Sequence, residues 1–132
     1  MKKPVLLLMI VISVAGINTV QAQKTKWLEM ETFHTVIAQT FHPAEEGKLE
    51  PIKTRSQEMF DKALAWQKST TPEGYNKKGI KGLLKNLVKE SKDLNKLIKT
   101  NAADNTLKEK LSGLHDIFHE IMEKCETEDH NI

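Results

Sequence analysis

From Trp27 onward the apolar residues recur at steps of three and four, the period of a helix that buries one face. Trp27, Met30, Phe33, Ile37 and Phe41 share one stripe and predict a first helix over about 25–41. Pro43 biases His42 away from helical backbone, and Gly47 opens a turn. Ile52, Met59, Ala63 and Trp66 make the next stripe, over about 51–69, with Pro51 suited to a first turn. The stretch STTPEGYN, with Pro72 and Gly74, ends it. A third helix, about 77–100, carries Ile80, Leu83, Leu84, Leu87, Val88, Leu94 and Ile98, with Gly79 and Gly82 weakening its first turn. After the polar loop TNAADNT, Leu107, Leu111, Leu114, Phe118, Ile121, Met122 and Cys125 form a fourth, about 107–125. Thr106 and Glu109 stand at the spacing of an N-terminal capping box. No stretch alternates with period two. Four amphipathic helices joined by short loops predict an all-α, antiparallel up-down-up-down four-helix bundle.

The first 22 residues follow a different rule. Lys2 and Lys3 precede an apolar run from Pro4 to Ile17, and Val20-Gln21-Ala22 reads as a small-residue cleavage site. This is the pattern of a secretory signal peptide over 1–22, cut after Ala22, and it points to a periplasmic destination. The run is short for a membrane span, so no membrane insertion is expected after cleavage. Residues 23–132 would then form one small domain with one core.

Charge changes the picture by what it removes. The chain has 20 basic and 18 acidic residues, but two of the lysines lie in the signal segment. The remainder is neutral with its histidines uncharged, which leaves no electrostatic case for nucleic acid. The third helix is richer in lysine, and the bland reading of that face is solvation. Cys125 is the only cysteine, so no internal disulfide forms, and no C-x-x-C-H pattern attaches haem covalently. No nucleophile with a partner base and no paired core carboxylates are evident, so an enzyme is not expected. The bundle is expected to be a monomer.

The candidate chemistry is in the histidines. His115 and His119 are one helical turn apart on helix 4, a spacing that lets two imidazoles chelate one metal. If helices 1 and 4 run antiparallel with their ends aligned, level residues have numbers summing to about 149, which sets Met30 against His119 and His34 against His115. On helical wheels Met30 is central to the helix 1 stripe and His34 about 40° from it, while His115 and His119 lie about 70° and 110° from the helix 4 stripe. His42, with Glu45 and Glu46, makes a further small cluster at a helix end, and His130 sits in the acidic tail.

Three short motifs carry a family resemblance: Met30-Glu31-Thr32 in helix 1, Gln67-Lys68-Ser69-Thr70-Thr71-Pro72 at the end of helix 2, and Phe118-His119 in helix 4. The chain resembles the cytochrome b562 family, periplasmic four-helix bundles that hold haem b non-covalently. That resemblance implies Met30 and His119 as axial ligands, haem b packed on Trp27, Phe33, Phe118 and Met122, and electron transfer with a redox partner protein. His34 and His115 depart from the family pattern. With His119 they offer an alternative site for a divalent transition metal such as Zn, Cu or Ni. A cofactor-free interaction bundle is the third reading.

Overall fold

The computed structural model describes residues 25–125. The expected signal segment, cleavage site and tail with His130 lie outside the described residues. Four helices follow one another: α1 (Leu28–Glu45), α2 (Glu50–Lys68), α3 (Lys77–Lys99) and α4 (Asp104–Cys125). Successive helices pack side by side, α1 also meets α4, and the described residues contain no strand. The protein is the expected all-α four-helix bundle.

The stripes account for the core. Met30, Phe33, Val36, Ile37, Ile52, Met59, Ala63, Trp66, Ile80, Leu84, Leu87, Leu94, Leu107, Leu111, Leu114, Phe118 and Ile121 are all buried. One end is aromatic. Trp66 lies 5.9 Å from Trp27, 5.7 Å from Phe33 and 6.0 Å from Phe118 between ring centroids, and Tyr75 closes on Trp27 at 5.3 Å. The Trp27 indole N–H donates to Ser69 Oγ at 2.8 Å, which ties the start of α1 to the end of α2.

Away from the aromatic end the core turns polar between α2 and α3. Ser56 donates to Asn95 Oδ1 at 2.8 Å, and Asn95 Nδ2 donates to Gln57 Oε1 at 2.8 Å. Ser56 and Asn95 are both buried. α1 is fastened to α2 by Arg55, which donates to Gln39 Oε1 at 2.7 Å and pairs with Glu58 at 2.7 Å. That guanidinium holds the Glu58 carboxyl below the usual carboxylate range. α1 packs far more sparsely on α4 than any other neighbouring pair packs together.

Helix ends depart from the sequence expectation in three places. α1 begins at Leu28 and runs to Glu45, straight through Pro43. A proline in the last turn removes one hydrogen bond, and here the turn is closed by other bonds. The Lys48 N–H donates to Pro43 O and the Gly47 N–H to Ala44 O, with Gly47 at φ 83°. That is a Schellman motif. α3 ends the same way, with Ala102 N–H to Leu97 O, Asn101 N–H to Ile98 O, and Asn101 in the left-handed region at φ 55°. α4 begins at Asp104, so Thr106 is its third residue and not a cap. The side-chain cap lies at the start of α3. Asn76 Oδ1 accepts from the Gly79 N–H at 2.9 Å. A Cβ on Gly79 would come within 2.6 Å of the Asn76 side chain, so the glycine makes room for the cap.

Candidate metal centre

The sparse α1/α4 seam holds four of the five histidines. Its register differs from the one the helix ends suggest. His34 stacks on Phe118, with ring centroids 4.8 Å apart and planes at 16°. The ring stacked on His115 is Phe41, at 3.9 Å and 13°. His115 is therefore about two turns further along α1 than His34, and the two do not share a level. The longer α1 is part of the reason, because its last turn reaches past Phe41 and carries residues that a helix ending there would not place on the seam.

His42 and Glu45 are those residues. They are three apart on the last turn of α1, and His42 Nδ1 lies 3.2 Å from Glu45 Oε2. A carboxylate on Nδ1 fixes the imidazole tautomer and leaves Nε2 as the free ligand atom. The His42 ring is 6.3 Å from that of His115. The sequence groups His42 with Glu45 and Glu46, but taking Pro43 as the end of helix 1 hides the approach of His42 to His115. The usable signal was the His-x-x-Glu spacing taken with Gly47 as the true stop.

His115 and His119 form the centre of the cluster. Their rings are 4.4 Å apart at 77°, and Nε2 faces Nε2 at 3.1 Å. Two imidazole nitrogens at metal bond lengths of about 2.0–2.1 Å, subtending 90–110°, stand about 2.9–3.4 Å apart. The observed separation falls in that range. Without metal, a contact this short has one nitrogen donating and the other accepting. His115 is half-buried while His119, His42 and His34 are exposed. Burial pushes the His115 pKa below its ordinary value, and the neighbouring His119 and His42 act in the same direction against Asp116 and Glu45. A neutral imidazole is the form that binds metal.

Beside the cluster, a groove of about 470 Å³ runs between α1 and α4, lined among others by Phe41, Glu45, Lys108, Glu109, Gly113 and Asp116. Three carboxylates against one lysine favour cations there. Nothing lies within 4 Å of where a Gly113 Cβ would stand, so the floor is open. Among the described residues no group of three or more His, Cys, Asp or Glu side chains is placed to hold a metal ion. His115 and His119 face each other as a pair, and the His42 ring stands off from them.

The other expected ligand, Met30, is buried on the inner face of α1 near the aromatic end. His119 is on the exposed flank of α4 with its imidazole turned to His115. Between the inner faces of α1 and α4 the rings of Phe33 and Phe118 meet at 6.0 Å. Cys125 is buried at the last turn of α4. Comparison with family models, curated proteins and solved structures gave no match to this chain.

Proposed function

We propose that the protein is a bundle that binds a divalent transition metal on its α1/α4 seam, with His115 and His119 as the chelating pair. The observation that carries this reading is the 3.1 Å Nε2–Nε2 separation, which matches the bite of two imidazoles on one metal. His42 is the third ligand after rotation, with Glu45 orienting it, and water completes the shell. Imidazole-rich sites suit Zn, Cu and Ni. His34, set apart on Phe118, takes no part. A site with His119 and His42 exposed suits uptake and release of metal rather than cementing a fold.

Isothermal titration of the full chain with Zn, Cu and Ni salts tests the proposal. One site per chain is expected, abolished in His115→Ala and His119→Ala and unchanged in His34→Ala. Removing the orienting carboxylate in Glu45→Gln weakens binding about tenfold to a hundredfold. Binding that survives the double His115→Ala/His119→Ala variant defeats the proposal.

A second reading, haem b held by Met30 and His119 in an electron carrier, is favoured by one feature: α1 and α4, the helices that would supply the two ligands, are the loosest neighbours in the bundle. The residues fit the group only after rearrangement. His119 must leave His115 and swing inward, and the Phe33 and Phe118 rings must part to admit the macrocycle. Haemin titration decides it: sharp reduced α and β bands, lost in Met30→Ala and in His119→Ala, are the required signature.

A further inference from the structure

The outer face of α3 is the strongest electrostatic feature away from the seam. Lys78, Lys81, Lys85, Lys89, Lys92, Lys96 and Lys99 follow one another at steps of three and four. On a helical wheel they fall within an arc of about 80°, and no other residue of α3 shares that arc. All seven are exposed. The row points away from the stripe of Ile80, Leu84, Leu87 and Leu94, and extends about 32 Å along the helix. Including Lys77, α3 holds eight lysines against Glu90 and Asp93. The rest of the described chain has nine basic against thirteen acidic residues. The protein is thus charge-polarised across its width although its total is near neutral.

The lysines are little engaged by their own chain. Lys89 pairs with Asp93 at 2.9 Å and with Glu90 at 3.3 Å. Glu90 also pairs with Lys110 of α4. Among the described residues the other six lysines of the row form no ion pair. Parallel like charges repel, so a row of this length costs stability and is better satisfied by an external anion array.

We propose that this face docks the protein onto an anionic lipid bilayer. The shape selects the partner. A straight row on the crest of a convex helix touches a plane with every lysine at once. α3 is flanked by α2 and α4, so it cannot enter a nucleic-acid groove as a projecting recognition helix does. The arc holds no aromatic ring to stack on a base and no arginine fork to grip a single phosphate; lysines act there as point charges. No apolar residue lies on the arc to insert, so docking is electrostatic and peripheral. Near an anionic bilayer each lysine contributes about a fivefold gain in partitioning, lost as salt screens it. On this arrangement α1, diagonally opposite α3, lies on the side away from the membrane, and the outer side of its seam with α4 stays open to solvent.

Lysine footprinting of the full chain tests the proposal, because an apolar leading segment that anchors the chain would do so equally on all vesicles. Acetylation is measured with vesicles of phosphatidylcholine alone and with about one-third phosphatidylglycerol. Selective protection of the seven row lysines on the anionic vesicles, with Lys26 and Lys48, which flank α1, unprotected, is the expected result. Protection is expected to vanish at 0.5 M salt. In the folded triple variant Lys81→Gln/Lys85→Gln/Lys92→Gln the remaining row lysines lose protection, and the anionic-specific part of partitioning falls about a hundredfold. A melting temperature of the variant no lower than that of the parent shows that the fold is intact. No protection, uniform protection, or stronger protection by a duplex oligonucleotide than by anionic vesicles overturns the proposal.

Discussion

The α2/α3 interface and the α1/α4 seam both contain polar groups, but they treat them in opposite ways. Between α2 and α3, Ser56, Asn95 and Gln57 satisfy one another at 2.8 Å, with Ser56 and Asn95 buried. Between α1 and α4, the His115 and His34 imidazoles stack on Phe41 and Phe118, and His115 and His119 turn their nitrogens to each other. A self-satisfied polar group fixes which residues lie opposite one another, since sliding the helices would strand it. A polar group whose atoms remain open fixes nothing by itself and is available to a ligand. The same bundle therefore has a seam that specifies its register and a seam that can receive something.

The largest effect is expected in neither region but at the aromatic end of the core, which sets the scale for both. Trp66→Ala, at the centre of the aromatic end, costs about 3–5 kcal/mol in unfolding free energy by chemical denaturation, because Trp66 is fully buried against Trp27, Phe33 and Phe118. A cost below 1 kcal/mol shows that this end is loosely packed. The next effect is expected at the open seam from saturating metal. At a hundredfold excess over its dissociation constant, zinc stabilises the native state by about 2.7 kcal/mol, and His115→Ala removes the gain. An equal gain in that variant places the metal elsewhere. Asn95→Ala leaves Ser56 and Gln57 without their partner and costs about 1–3 kcal/mol. It leaves zinc affinity unchanged if the two seams act independently.

The smallest expected effect is the pH response of the open seam. His115 has its pKa lowered in the fold, so between the folded and unfolded values the unfolded chain binds more protons. Its contribution to stability is complete above the ordinary histidine value of 6.5 and is lost as pH falls through the lower folded value. A denaturation series from pH 7.5 to 5 detects a decline, flattened in His115→Gln. Equal slopes in both proteins remove His115 as the cause.

The fold is legible in the sequence because burial imposes a period that each of the four stripes obeys. The ends are less legible because local bonds override local propensities. Pro43 is tolerated once Gly47 closes the last turn of α1, and Asn76 caps α3 by a bond that needs Gly79. The candidate site depends on those ends. His115 and His119 can be paired by counting along one helix. The partnership of His115 with Phe41 and His42 depends on how two helices slide past one another, and the spacing along a single helix carries no information on that. Aligning helix ends sets His34 opposite His115; ring packing sets Phe41 there.

The uneven grip on α1 also gives the bundle an order of opening. Arg55 and Ser69 hold α1 to α2, while little holds it to α4. Backbone amides along the α1/α4 seam are then the first to exchange with solvent, ahead of those in α2 and α3. A metal joining His42 to His115 and His119 would act on that clock as well as on the equilibrium. It would tie together the two helices whose parting begins the unfolding, and so lengthen the lifetime of the native state.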